Sequence, residues 1–457
     1  MIRPISSQKF CEQMQWRHIG NEVLLDKIVI DSRIVQPKDC YVALMGANND
    51  GHDYVLDVSQ QGASAALLNH PVEGDITQLI CEDTLQGLAE LGKYNRANYK
   101  GSVVAITGSA GKTTAKELVA AICEEMGATD RTQGNFNNEV GVPLTLLALS
   151  ESSKFSVVEM GAAQIGDIAY LVDLADPDVV LITNVGNAHV GRFGSVENIF
   201  TAKSELFNSA RADAIRVINL DDSYADQWIE ANKQYRSITF SRTREADVCA
   251  KNIELNLDSV SFDLHFGSEQ IAVELAIPGL HSVSNALAAA AVTVSLGADL
   301  AAIKKAFQGF RAVAGRSSTL IGLRDCIVID ESYNANPIAM NAALQALSLH
   351  GGEKIAVLGD MAELGDDAAE FHCQVGEHAA KLGVDQLYVV GQYAQNYAAG
   401  FGESSAVFSD KKSLLQKLKN SVTSNSRVLI KGSRSAGMEE VVQGLANKNN
   451  NKLEALC

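Results

Sequence analysis

The sequence predicts an α/β protein of three domains, and three observations carry that reading. Its 457 residues are enough for about three hydrophobic cores. In residues 103–114, VVAITGSAGKTT, an apolar strand breaks into a glycine loop and opens a helix, because the hydrophobic period changes across the loop. From about residue 314 onward, short apolar runs alternate with helical stretches, the pattern of a parallel sheet covered on both faces.

Residues 1–100 form the first unit, with Gly46, Gly51 and Gly62 at turns, the alanine-rich GASAALL near its end and a helix predicted over 85–99. Lys100-Gly101 marks a hinge into the second unit, 101–313. After the strand at 103–106, Leu118, Val119, Ile122 and Met126 recur at helical spacing. Further strands are predicted over 156–160, 179–185 and 216–219, antiparallel hairpins over 248–273, and an alanine-rich helix over 283–296. The third unit, 314–457, has strands predicted over 326–330, 355–358, 386–390 and 428–430.

At 46% hydrophobic and 20% charged residues, the composition is that of a globular rather than a disordered chain. A net charge of −17 argues against duplex nucleic acid or an anionic membrane as partner, so anionic ligands must meet local positive sites. No apolar run approaches the roughly 20 residues of a membrane span. The start, MIRPISSQKFCEQMQW, lacks the apolar centre of a signal peptide, so a cytoplasmic protein is expected. The eight cysteines are scattered without paired spacing, as reduced thiols rather than a zinc site or disulfide framework.

The loop Gly108, Ser109, Ala110, Gly111 predicts a nucleoside triphosphate site. Its backbone N–H groups curl toward one anion, and the following helix N-terminus adds donors and a positive dipole end. Lys112 supplies a mobile cation, and the hydroxyl of Thr113 or Thr114 can ligate Mg²⁺. The usual G-x-x-x-x-G-K-[ST] spacing would put glycine at Ile106, so this loop is a shortened variant. An incidental lysine after a glycine turn is the alternative; the agreement of strand, loop and helix weighs against it.

Glu159 ends a strand in SVVEMGA at the sheet's carboxyl edge, where a carboxylate holds Mg²⁺ or caps the next turn. His189, in TNVGNAHVGRFGS, falls on the same edge; a lone histidine is more often structural, but its placement beside Glu159 favours the site. Lys203 in FTAKSELF, read alone, is a solvated helix lysine. Asn135, Asn137 and Asn138 in GNFNNEVGVP suit either a turn or the recognition of a polar ligand. DESYNANP (330–337) sets an acid, Tyr333, Asn334 and Asn336 at a strand end. KGSRS (431–435) brings two cations and two hydroxyls, a pattern that captures carboxylate or phosphate, with Arg434 able to pair bidentately.

TGSAGKTT, GNFNNEVGVP, EMGA, AKSE, DESYNANP, GDMAELG and KGSRSAGMEEVV occur in one order, and with DSR (31–33) and DGH (50–52) they resemble the Mur ligases essentially end to end. The resemblance implies an N-terminal α/β domain holding the UDP end of a substrate, a central P-loop ATPase-like domain and a C-terminal Rossmann-like domain bringing an amine. It implies ATP and Mg²⁺, and it makes the short TGxxGKT spacing the family's own habit. The implied chemistry is ATP-dependent phosphorylation of a carboxylate, then attack by an amine to give amide, ADP and phosphate in cell-wall precursor synthesis.

By the same resemblance Lys112, Lys203, His189 and Arg316 are catalytic, and Thr113, Glu159, His189 and Lys203 serve Mg²⁺, Lys203 corresponding to a lysine that related ligases carry as a carbamate. His281 and Asn285 match the adenine-side helix, although Ser282 replaces the asparagine usual there. Arg316, Asp330 and Asn334 match residues that reach the nucleotide on domain closure. Asp31, Ser32 and Arg33 match the UDP side; Asn135, Asn137 and Asn138 the muramoyl-peptide side, with Asn336, Lys431, Ser433 and Arg434 completing the substrate set. Within the family DESYNANP favours the dipeptide adder, so the resemblance implies UDP-N-acetylmuramoyl-tripeptide and D-alanyl-D-alanine as substrates; a monomer that binds no nucleic acid is expected. Against a diaminopimelate-adding ligase stands the lack of DNPR; against a folylpolyglutamate synthase, the DSR and DGH elements; against a non-catalytic ATP switch, the presence together of Lys112, Glu159, His189 and Lys203.

Overall fold

A computed structural model describes residues 1–46, 49–186, 190–256, 259–311, 315 and 318–446. It contains three main sheets in chain order, plus a small ribbon pairing Ile5–Ser6 with Leu24–Leu25. The first sheet runs Arg17–Ile19, Thr77–Ile80, Ala65–Leu68, Cys40–Val42, Ile28–Val29, with only its first pair antiparallel. Asp83 caps the helix Thr84–Asn98 by accepting from the Leu85 and Gln86 amides, which fixes where that helix begins.

This helix ties the first unit to the second. Fully buried Asn95 donates to Leu146 O at 2.8 Å, and Arg96 donates to Ala175 O and Asp176 O, each at 2.7 Å. Buried polar groups are almost always so paired, and these bonds tie the helix to the central unit.

The central sheet has nine strands. Thr129–Arg131, Phe155–Glu159, Ser102–Thr107, Val179–Ile182, Ile215–Asn219 and Ser237–Ser241 lie side by side and parallel. Val248–Leu255, Val260–Phe266 and Glu269–Leu275 extend the same sheet, the last two joined antiparallel, so the alternating stretch forms its edge. Helices Lys112–Met126 and Leu280–Ser295 bury apolar side chains on one face, Asp167–Ala175 and Val196–Ser209 on the other. Phe155–Glu159 and Val179–Ile182 flank Ser102–Thr107, with Glu159 opposite Ile106 and Ile182 opposite Thr107, so three strand ends converge at one edge.

The third sheet orders Ser318–Ile321, Ile327–Glu331, Ser426–Lys431, Glu353–Leu358, Gln386–Val390, Ser405–Phe408, all parallel except the first. Apolar cores cover both faces. The strand expected over 179–185 stops at Ile182, because Thr183–Val185 turn away to bond the glycine loop and Asp222. The seven described cysteines are free thiols, and no helix among the described residues is long and apolar enough to cross a membrane.

Candidate active site

Ser102–Thr107 delivers the glycine loop to the helix Lys112–Met126. Gly111 sits at φ +78, and a Cβ there would stand 2.4 Å from Asn285 Oδ1, so glycine is a steric requirement. No side chain caps this helix, which leaves its first-turn amides aimed at an anion. The loop is braced from behind: Asn184 accepts from the Ala110 amide and donates to its carbonyl, both at 3.0 Å, while Thr183 Oγ1 donates to Ala110 O at 2.6 Å. Ser109 N donates to Asn184 O at 2.9 Å. Thr183 and Asn184 were not singled out from the sequence; the signal is a polar pair ending the strand beside the loop.

Lys112 Nζ donates to Gly108 O at 2.7 Å. Thr113, rather than Thr114, meets the carboxylate: its hydroxyl donates to Glu159 Oε2 at 2.8 Å, and Asn137 Nδ2 donates to Oε1 at 2.7 Å. Glu159 is 2% exposed, and its amide donates to Thr132 Oγ1. Asn137 thus orients Glu159 while also lining the second of the two cavities at this edge.

Lys203 corrects the solvated reading. It is 2% exposed on the helix Val196–Ser209, with Nζ 5.9 Å from the Phe193 ring. Burial, and next the Lys112 ammonium, push its amine down to about 7. Glu205, two residues on, turns away to accept from the Gly166 and Ala169 amides.

Two cavities open at this edge. One, of about 570 Å³, is walled by the loop Ser109–Thr114 with His281 and Asn285 on one side and Tyr333, Asn334, Asn336 and Lys431 on the other. The second, of about 800 Å³, takes Asn135, Asn137, Asn138, Glu159 and Lys203 from the central unit and Glu363 and Arg434 from the third. Lys112, Thr113's neighbour in the loop, lines both, as do Tyr333 and Asn334, so the cavities meet at Lys112.

Several expected contacts fall elsewhere. Asp330 lines neither cavity: its oxygens accept from Ser332 N, Ser332 Oγ and Gly315 N, so it shapes the turn that presents Tyr333. Ser433 is buried with its amide on Asp360 O and also lines neither. Asn336 and Lys431 face the first cavity rather than the second; Asn336 caps the helix Pro337–Ser348, and Lys431 donates to Asn334 O and Glu331 Oε2. Arg434, exposed, pairs with Glu439 at 3.1 Å at the rim of the second cavity. Asp31 caps the turn Ser32–Ile34 and chelates the Arg33 guanidinium, lining neither cavity. That pairing holds the Asp31 carboxyl down at about 2. His189 and Arg316 lie outside the described residues.

The donor set suits a magnesium nucleotide. No three His, Cys, Asp or Glu side chains cluster among the described residues, so these residues by themselves form no closed metal cage. Mg²⁺ in nucleotide sites uses one or two protein oxygens plus phosphate, and the buried Thr113–Glu159 pair beneath the loop offers those.

Comparison with known proteins agrees with this layout. The Mur ligase middle domain family matches residues 106–293, and the Mur ligase, glutamate ligase domain family matches residues 315–434. The UDP-N-acetylmuramoyl-tripeptide–D-alanyl-D-alanine ligase of Escherichia coli K12 is 38% identical over 431 residues, covering 93% of this chain and 95% of its own. The crystal structure of MurF from Acinetobacter baumannii superposes with a TM-score of 0.91 at 33% identity, over 97% of this chain and 98% of that one. MurF from Thermotoga maritima, solved in complex with ADP, gives 0.81 at 28% identity, over 92% and 96%. Family models over the central and third units, and 38% identity to a relative across nearly the whole of both chains, have one reading: this chain belongs to the Mur ligase family.

Proposed function

We propose that this chain joins D-alanyl-D-alanine to UDP-N-acetylmuramoyl-tripeptide at the expense of ATP, giving the pentapeptide, ADP and phosphate. The observation that carries it is the junction of the two cavities at Lys112. A triphosphate seated on the loop ends where the second cavity begins, facing any carboxylate held among Asn138, Glu159 and Lys203. Two anions meet there only if positive charge is concentrated, and holding them in line removes much of the entropic barrier.

Lys112 supplies the fixed cation between the two reactants. Mg²⁺, held by Thr113 and Glu159 with His189 and Lys203, would neutralise the phosphate charge. The neutral amine favoured at Lys203 is the form that adds CO₂ to give a carbamate and a proton, which would turn this position into an anionic ligand. A substrate carboxylate oxygen attacks the γ-phosphorus and ADP leaves. The dipeptide amine then attacks the acyl carbon, phosphate departs with its oxygen, and the amine loses a proton. Arg434, at the rim on the third unit, pairs with the dipeptide carboxylate.

The reading includes a division at 1–100, 101–313 and 314–457, supported by one main sheet in each part. It includes action as a monomer, since both cavities are built by one chain, and a cytoplasmic location. Relatives matched nearly end to end carry the dipeptide ligase name, which favours it over a sister ligase. The intact set of Lys112, Glu159 and Lys203 favours it over a silent ATP switch. Mass spectrometry of a reaction containing ATP, Mg²⁺, UDP-N-acetylmuramoyl-tripeptide and D-alanyl-D-alanine tests it. The pentapeptide mass supports the reading; a tetrapeptide formed from a free amino acid, with D-alanyl-D-alanine left unused, would overturn it.

A further inference from the structure

The GDMAELG run, 359–365, has no part in the chemistry above, yet it is where the third unit meets the central one beside Lys203. Gly191, on the short helix Val190–Phe193, donates its amide to Glu363 O at 3.2 Å. A Cβ on Gly191 would stand 2.3 Å from Gly365 N and 2.9 Å from Glu363 O, so the two backbones touch and only glycine fits. Glu363 holds φ at +61, a left-handed conformation that a non-glycine residue keeps only where its surroundings impose it. Arg192 Nη1 lies 3.6 Å from Glu363 Oε1, and both side chains line the second cavity.

The same short helix bears on Lys203 from its other end. Phe193 is buried against Ile199 and Ala202, its carbonyl accepts from Asn198 Nδ2 at 2.7 Å, and its ring is the one 5.9 Å from Lys203 Nζ. The ring beside the buried amine thus follows directly on the inter-unit contact at Gly191 and Arg192. The first unit is clamped through Asn95 and Arg96, which leaves the seating of the third unit to decide whether the second cavity is closed.

We propose that the 359–365 loop is a latch: seated on Gly191 and Arg192, it closes the second cavity and sets Phe193 over Lys203. Gly191 and Glu363 are then positioning residues for the acyl-phosphate stage, an inference that rests on the ligase reading. With the latch unseated, water reaches the acyl phosphate in place of the dipeptide amine. Its oxygen bonds the acyl carbon, the bond to phosphate oxygen breaks, and carboxylate, phosphate and a proton are released.

The test compares wild type with Gly191→Ala by two readouts: amide formed against phosphate released, and hydrogen exchange of the peptides spanning 190–193 and 359–365. In Gly191→Ala both peptides lose protection, kcat for amide falls about tenfold or more, and KM for ATP stays within about threefold. Phosphate released per amide rises above one. Unchanged protection, or lost protection with wild-type rate and stoichiometry, overturns the latch. Should Gly191→Ala fail to fold, the ion pair substitutes: Arg192→Glu uncouples phosphate release, and adding Glu363→Arg restores coupling; no restoration overturns the proposal. Wild-type protein that protects both peptides but makes no amide would instead sink the ligase reading.

Discussion

Replacing Lys203 with methionine should stabilise the protein while ending its turnover. The side chain is 2% exposed, and its amine is driven from 10.5 to about 7, first by burial and then by Lys112. At about 1.4 kcal/mol per pH unit, that difference places a ceiling of roughly 5 kcal/mol on what the ammonium costs the folded state. Above pH 10.5 the amine is neutral in both states and the cost vanishes. As pH falls from there toward 7, the unfolded chain takes a proton that the folded chain refuses, so stability drops; below 7 the cost is constant. Methionine fills similar space without a charge. Lys203→Met should therefore melt higher at pH 7 by about 5 °C or more, taking roughly 2–4 °C per kcal/mol for a domain of this size. The assay is thermal unfolding in CO₂-free buffer, since carbamylation would consume the amine. It can be followed by Trp228, whose indole donates to Ser204 Oγ beside Lys203. The gap should shrink as pH approaches 10. A variant that melts lower than wild type at pH 7, or a gap independent of pH, would refute the reasoning.

Lys112→Ala should lose turnover to about a hundredth or less with a melting temperature within about 2 °C, checked by ligation rate and calorimetry. Arg434→Ala should raise KM for D-alanyl-D-alanine about tenfold or more and leave KM for ATP nearly unchanged, as steady-state kinetics in each substrate would reveal. His372 is fully buried, accepts from the Met361 amide at 2.9 Å, and has its protonation pushed below the usual histidine range by burial. As pH falls below about 6.5 the unfolded chain binds a proton that folded His372 refuses, so stability declines by at most about 1.4 kcal/mol per pH unit. Urea midpoints between pH 7.5 and 5 should show that slope, and His372→Gln should flatten it.

The strands buried on both faces were legible because their apolar runs are nearly continuous: 103–106, the run expected over 179–185 and 386–390 needed no neighbour to be recognised, although the second ends at Ile182. At the edges, alternation marked the hairpins over 248–273, but three other edge strands were missed. Thr129–Arg131, Ser318–Ile321 and Ser405–Phe408 are short, and their side chains are partly or fully exposed, so little hydrophobic signal marks them. In the site, the loop and Glu159 could be read because local sequence determines them: a glycine turn on one strand and an acid ending another. Lys203 could not, since nothing in its own helix reveals that Phe193 and the strand ends bury it. Asp330 and Ser433 have the right side chains for ligands, but Asp330 accepts from Ser332 and the Ser433 hydroxyl pairs with that of Ser435 in the turns around them, a choice only tertiary contact decides.

The central claim is that the substrate carboxylate is activated by phosphorylation where the two cavities meet. Carboxyl-¹⁸O-labelled UDP-N-acetylmuramoyl-tripeptide, turned over with ATP and D-alanyl-D-alanine, tests it by the mass of the phosphate released. One labelled oxygen per phosphate, dependent on both substrates, is the predicted result. Unlabelled phosphate accompanying amide formation would contradict it, because the oxygen would then never have bridged carbon and phosphorus.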